Sequence, residues 1–353
     1  MTMTVSAEAL VPAAPPRSGS VLVVRPDNMG DVLLSGPAVR AVAASGASVT
    51  MAVSSRGREV ASRLPGVGGV VEVELPWIAA DPGSYDRRTH DALVDTFASV
   101  DADEAIVLTS FHQSALPTAA LLRLAGVRRV TAVSEDYPGS LLDVRVAPPG
   151  RMHEVERMLA VVAAAGHRLP PDDDGSLRIE RGRGTRRRPP EPGYVVVHPG
   201  ASVPARTLPP EAWRAVIEVL GETERVVVTG GGSEAGLVAD VTSGSGPRVR
   251  AAGTTSLDEL LDLLAGARAV VVGNTGPAHL AAAVGAPVVS IFPPTVDPHA
   301  WRPWAVDHVL LGAQDVPCAG CRARICPESE QRCLTSITPA DVVHALEQVA
   351  RPR

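Results

Sequence analysis

The residues able to do chemistry sit in short loops that follow apolar runs. In Arg25-Pro26-Asp27-Asn28-Met29-Gly30-Asp31 a carboxylate follows a glycine where the loop enters a helix. Asp31 there either steadies the first helical turn, by about 1 kcal/mol, or acts as a general base at a cleft mouth. As a base it would take a proton from an attacking hydroxyl within hydrogen-bond reach. His198-Pro199-Gly200-Ala201-Ser202 is another run ending in a glycine turn, and Arg206 follows it. A guanidinium in such a loop pairs with a diphosphate through its planar donor fork, or simply faces solvent. Gly230-Gly231-Gly232-Ser233 admits close backbone approach by a ligand, or only a sharp turn. Gly273-Asn274-Thr275-Gly276-Pro277 opens an alanine-rich segment that carries His279. A helix N-terminus there offers unpaired N–H groups and a positive dipole end, both suited to phosphate. The plain alternative is an ordinary strand-to-helix connection. A further turn, Thr109-Ser110-Phe111-His112-Gln113, adds His112.

The four cysteines, Cys318, Cys321, Cys326 and Cys333, are spaced C-x2-C-x4-C-x6-C. Four thiols in so short a span could encircle a structural zinc, and the first pair has familiar ligand spacing. The later spacings fit no standard zinc template, which leaves buried thiols or transient disulfides as the other reading.

Strands must hold these loops. Apolar runs at 21–24, 48–53, 69–73, 105–108 and 129–133 read as strands, with helical stretches from 32 and at 87–99, 114–124 and 152–165. The composition then changes to Pro170-Pro171-Asp172-Asp173-Asp174-Gly175, the run RGRGTRRR at 181–188 and a proline-rich close at 189–193. This stretch reads as an interdomain connection, its arginines solvated rather than gathered for phosphate or membrane. The alternation starts again with strands at 194–198, 225–229, 248–251, a run from 270, 288–291 and 308–311. Helices fall at 211–220, 233–241, 256–265 and 339–349. Strands alternating with helices, without hairpin turns, indicate mostly parallel sheets covered on both faces. The expected organisation is a leader at 1–19, one α/β domain at 20–169, a linker at 170–193 and a second α/β domain at 194–353. The last helix is free to pack back on the first domain. The glycine turns of both halves would then face one cleft.

Of 353 residues, 45% are hydrophobic and 20% charged, as in an ordinary globular protein of two domains. The formal net charge of −6 argues against a nucleic-acid partner. There is no Lys, so any cationic contact to phosphate comes from Arg, His or backbone N–H groups. No apolar run reaches the roughly 18 residues of a membrane span. The cysteines are not spread as in a secreted disulfide framework. The cytoplasm is the expected address, with peripheral contact to the inner face of the membrane allowed for.

Taken together, RPDNMGDVLLSGPAVRA, HPGAS with Arg206 and LPPEAW, VVVTGGGSE, and VVVGNTGPAHLAAAVGAPVVSIF resemble glycosyltransferase family 9, the ADP-heptose:lipopolysaccharide heptosyltransferases and their relatives. The resemblance runs through nearly the whole chain after the leader, with the motifs in the same order. It implies the α/β GT-B architecture, two Rossmann-like domains with parallel sheets facing a central cleft. The acceptor would bind mainly to the first domain and the nucleotide-sugar mainly to the second. It implies that Asp31 is the base of an inverting, metal-independent transfer from a nucleotide-sugar, ADP-heptose or another, to a glycan or lipid-linked acceptor, with no cofactor required. By the same resemblance His198, Gly200, Ser202, Arg206, Gly230, Gly231, Asn274, Thr275, Gly276, Pro277 and His279 would serve the donor. Arg25, Asn28, Gly30 and His112 would serve the acceptor. Arg206 stands where the family often has a phosphate-contacting Lys. Asn274 stands where heptosyltransferases commonly carry Asp, keeping an acceptor oxygen but losing the charge. A nucleotide-sugar epimerase or hydrolase, and a non-catalytic sugar-nucleotide binder, are the rival readings. A dinucleotide oxidoreductase is disfavoured, because the first turn lacks the glycine spacing of the dinucleotide fingerprint.

Overall fold

The computed structural model describes residues 19–79, 82–182, 191–328 and 330–350. Residues 1–18 of the expected leader and 183–188 of the arginine-rich run lie outside them. The first half runs β1 (Ser20–Val24), α1 (Met29–Leu34), α2 (Gly36–Ala43), β2 (Ser48–Val53), α3 (Arg58–Ala61), β3 (Val67–Glu72), α4 (Arg87–Ala98), β4 (Glu104–Val107), α5 (Leu116–Leu124), β5 (Arg129–Val133), β6 (Val144–Val146) and α6 (Glu154–Ala165). The second runs β7 (Tyr194–His198), α7 (Pro210–Thr223), β8 (Val226–Gly230), α8 (Ala235–Thr242), β9 (Val249–Thr254), α9 (Leu257–Gly266), β10 (Ala267–Gly273), α10 (Gly276–Ala283), β11 (Val288–Ile291), α11 (Pro298–Trp301), β12 (His308–Leu311), α12 (Arg332–Thr335) and α13 (Pro339–Val349).

Each half holds one six-stranded sheet, ordered β3-β2-β1-β4-β5-β6 in the first and β9-β8-β7-β10-β11-β12 in the second. Every strand pairing is parallel. Counted within its own half, each order is 3-2-1-4-5-6, the doubly wound Rossmann pattern. Ligands of such sheets sit outside the carboxyl ends of the strands, where the winding reverses. Those points fall between β1 and β4 and between β7 and β10. The loops carrying Asp31, His112, Arg206 and Thr275 leave these four strands.

The strands alternate as a doubly covered sheet requires. Val21 and Val23 enter one core while Leu22 and Val24 enter another. Tyr194 and Val196 join the same core as Val21, whereas Val195 and Val197 face a third. One apolar core therefore runs from α2 and α6 through α1 and α10 to the second sheet, and fixes the two halves against each other. No described helix is long and apolar enough to cross a membrane.

Two parts of the expected organisation change. α13 does not pack back on the first domain. Val342, Ala345, Leu346 and Val349 recur every three or four residues, and that single stripe closes the far face of the second sheet beside α7. The connection after α6 is not a free linker over its described residues. Asp173 takes the Arg40 fork at 2.7 and 2.9 Å, Glu180 N–H donates to Arg63 O at 2.8 Å, and Gly175 O accepts from Trp304 Nε1 at 2.9 Å. The segment is thus pinned from both halves.

The two halves pack tightly at the start of α1 and α10. A Cβ added to Gly30 would stand 3.1 Å from His279 Cδ2 and 3.3 Å from the Gly276 Cα. A Gly30→Ala chain should fold with α1 and α10 eased apart by a few tenths of an ångström, and lose roughly tenfold in turnover through misplacement of the groups they carry. A turnover assay on the purified variant checks this, and wild-type turnover would show that the contact has slack.

Candidate active site

A cavity of about 340 Å³ opens between the carboxyl ends of the two sheets. Asp27, Asn28, Gly30, Asp31 and His112 line it from the first half, and Ser202, Arg206, Asn274, Thr275, Gly276 and His279 from the second. Donor and acceptor candidates, distant in sequence, are thereby brought to one space.

Asp31 lies in the first turn of α1, and Asn28 caps that helix with extended backbone but no side-chain capping bond. Beneath it Arg25, fully buried, extends from the end of β1. Its Nη1 donates to Leu108 O at 3.1 Å and its Nη2 to Ser110 Oγ at 3.0 Å. Its Nε faces Asp27 Oδ2 at 3.2 Å, and Nη2 also reaches Asp31 Oδ1 at 3.5 Å. Asp27 is steadied by Gln113 Nε2 at 2.7 Å. Burial, then the neighbouring Asp27, pushes the Asp31 carboxyl up to about 7, against the pull of Arg25 and of Arg206 across the cleft. A carboxyl tuned to neutrality is suited to accept a proton under ordinary conditions.

On the opposite wall the chain leaves β7, makes a 3-10 turn at Pro204–Arg206 and presents Arg206. The Arg206 Nε is buried without a hydrogen-bond partner among the described residues. Burial lowers its affinity for the proton, Asp31 opposes that and Arg324 adds to it, and the guanidinium stays charged because its ordinary value lies so high. Gly273 ends β10 against this loop: a Cβ there would meet the Arg206 carbonyl at 2.8 Å. The next residues start α10. Thr275 is its N-cap but makes no side-chain cap bond, and Pro277 supplies a preset φ inside the first turn. The Gly276 N–H and the positive helix end thus point to where an anion would lie. Burial drives the His279 imidazole down to about 3, so it is neutral, and its Nδ1 has no partner among the described residues.

Several sequence candidates do not line the cavity. Arg25 is the buttress under Asp31, and Pro277 is buried in α10. His198 bonds Thr229 Oγ1 through Nδ1 at 3.0 Å, and its Nε2 lies 3.5 Å from Glu234 Oε2. Glu234 also accepts from Gly231 N at 2.7 Å, and its carboxyl would collide with any Cβ on Gly200. His198, Gly200, Gly230 and Gly231 form a cluster beside the cleft, where the imidazole holds Glu234 below the usual carboxylate range.

The cysteine loop also differs from its zinc reading. Cys318 and Cys321 are exposed, Cys326 is half-buried and Cys333 is buried. Among the described residues no cluster of three or more His, Cys, Asp or Glu side chains could hold a metal ion. Instead the loop delivers two arginines to the cleft. Arg322 N donates to Thr295 O at 3.0 Å, and its guanidinium lies over the Phe111 ring of the other half at 4.5 Å. Arg324 O accepts from Ala205 N at 3.1 Å beside Arg206. Both arginines line the cavity. The cysteine spacing drew attention away from the two cations set within it.

Two doubly wound sheets that turn their switch-point loops toward one polar cleft define the GT-B class of transferase. The sequence model described as glycosyltransferase family 9 (heptosyltransferase) matches residues 92–331. The chain is 29% identical over 361 residues to lipopolysaccharide heptosyltransferase 1 of Pseudomonas aeruginosa, covering 93% of this chain and 97% of the relative. In fold it is similar to a family 9 glycosyltransferase from Veillonella parvula, with a TM-score of 0.72 at 17% identity over 94% and 96% of the two chains. It is also similar to E. coli heptosyltransferase WaaC with ADP, at 0.68 and 20% identity over 93% and 99%. The chain belongs to glycosyltransferase family 9, and it is a glycosyltransferase that uses a nucleotide-sugar donor.

Proposed function

We propose that the chain catalyses an inverting, metal-independent transfer in which Asp31 is the base. The observation that carries this reading is a near-neutral carboxyl facing Arg206 and the start of α10 across one cleft. Asp31 takes the proton of an acceptor hydroxyl, whose oxygen attacks the anomeric carbon from the side opposite the leaving group. The bond to the diphosphate breaks with its electron pair, and negative charge grows on the leaving oxygen. Arg206, Arg324 and the Gly276 N–H stabilise that charge, the task otherwise given to a divalent cation. His279 offers a neutral donor or acceptor beside them. The acceptor is a glycan or lipid-linked saccharide, entering past His112 and Phe111.

The relatives are named for heptose transfer, and one similar structure is E. coli heptosyltransferase WaaC with ADP-2-deoxy-2-fluoro heptose. ADP-heptose is therefore the first donor to test. Asn274, which lines the cavity without a charge, leaves room for a related sugar nucleotide. A thermal-shift series of ADP-, GDP-, UDP- and dTDP-sugars tests the reading: one of them should raise the unfolding temperature. No stabilisation by any sugar nucleotide would contradict it.

The pH dependence follows from the base. Only ionised Asp31 accepts a proton, so turnover should climb as pH rises through about 7 and level off above it. A pH–rate profile that is flat across neutrality would remove Asp31 from the rate-limiting proton transfer.

A further inference from the structure

Arg25 carries more acid than a simple buttress needs. Besides Asp27 and Asp31, its Nη2 lies 3.4 Å from Glu154 Oε2, so three carboxylates surround one fully buried guanidinium. Glu154 is 2% exposed and does not line the cleft. It is the first residue of α6, held by a capping box in which His153 Nδ1 accepts from Val155 N at 3.1 Å and Glu156 Oε2 accepts from His153 N at 2.9 Å. On its other side the His153 Nε2 is 2.9 Å from Arg302 O, and its ring lies 4.5 Å from that of Trp304 in the second half. The carboxylate is thus fixed in place at the junction of the two halves.

The arrangement has a chemical consequence for the base. A guanidinium given wholly to Asp31 would stabilise its anion and make it a poor proton acceptor. Nη2 is instead shared among Asp31, Ser110 and Glu154. We propose that Glu154 is a positioning residue for Asp31, limiting through Arg25 how strongly the ionised base is stabilised. This rests on the reading of Asp31 as the base. Asp31 is faced by Arg25 and Asp27 on its own loop, by Glu154 on α6 and by Arg206 after β7, and His279 at the start of α10 lines the same cleft. Glu154 is faced by Arg25 and by Arg157, one turn along α6, while His112 on the loop after β4 lies near Asp27 and Arg25. Of these, only Glu154 shares a nitrogen with the base while lying outside the cleft. It acts on Asp31 without touching substrate.

The test is a titration that needs no turnover. In the full chain labelled with carboxyl-13C aspartate, the Asp31 signal is identified by its loss in Asp31→Asn. In Glu154→Gln the Asp31 midpoint should fall by about one pH unit, a tenfold stronger acid. Glu154→Asp keeps the charge but withdraws it from Arg25, and should lower the midpoint in the same direction by less. An unchanged or raised midpoint in Glu154→Gln overturns the proposal. If that variant does not fold, an unchanged midpoint in Glu154→Asp does so. A purely structural role for Glu154 would alter unfolding temperature without moving the Asp31 midpoint. A chain with the shifted titration but no transfer to any acceptor would overturn the proposed function and leave the Glu154–Arg25–Asp31 linkage standing.

Discussion

Asp31→Asn should reduce transfer by about 10²–10⁴-fold while binding of the nucleotide-sugar is largely retained. The amide keeps the size of the carboxylate and stays in the first turn of α1, but it cannot take the hydroxyl proton. The donor groups stand on the opposite wall and do not depend on it. Isothermal titration with donor, beside a transfer assay, separates the two effects. Full turnover would remove the base, and loss of donor binding would make Asp31 a binding residue instead. The variant should also be more heat-stable than the wild type in mildly alkaline buffer. Folding raises the Asp31 carboxyl from its ordinary 3.8 to about 7, so ionising it costs stability. That cost is absent below about 3.8, where both states are protonated, and fully present above about 7. The advantage of Asn should therefore shrink as pH falls through this window. An advantage that grows on acidification would reverse the sign of the argument.

Arg206→Ala should have the second-largest effect: about 10²–10³-fold in turnover, together with weaker donor binding. Arg206 is set by the 3-10 turn after β7, by the Ala205–Arg324 backbone bond and by Gly273 beneath its carbonyl. The variant leaves that backbone in place and removes only the donor fork. Arg206→Lys should recover part of the loss, because an ammonium keeps the charge without the bidentate geometry. Unchanged donor affinity and turnover in Arg206→Ala would exclude it from the diphosphate site.

The ease of reading this chain varied with the physics of each part. β2, β5, β7 and β12 were legible at their observed ends, because β-branched runs bounded by polar or glycine turns leave little freedom. β6 was not legible: Val144–Val146 is too short for a period, and it becomes a strand only by pairing with β5. The loops of Asp31, Arg206 and Thr275 could be recognised as ends of strands, and the shared 3-2-1-4-5-6 order explains why they meet. Arg25 stood among the acceptor candidates by resemblance, but its buried place beneath Asp31 gave no such signal, and Glu154 gave none at all. An arginine at a strand end and a glutamate at a helix start are ordinary surface residues until tertiary packing buries them together, 129 positions apart. Arg322 and Arg324 were hidden for another reason. Their loop drew attention for its thiols, while the Arg322–Phe111 contact exists only once the two halves close and the Arg324–Ala205 bond only once the second half folds.

A single displacement driven by one base has a stereochemical signature. The anomeric configuration of the transferred sugar, measured by NMR on the product of a donor of known configuration, tests it most directly. Inversion at the anomeric carbon is the expected result. Retention would contradict it, because two displacements would require a nucleophile that forms a bond to the sugar where Asp31 is assigned only a proton.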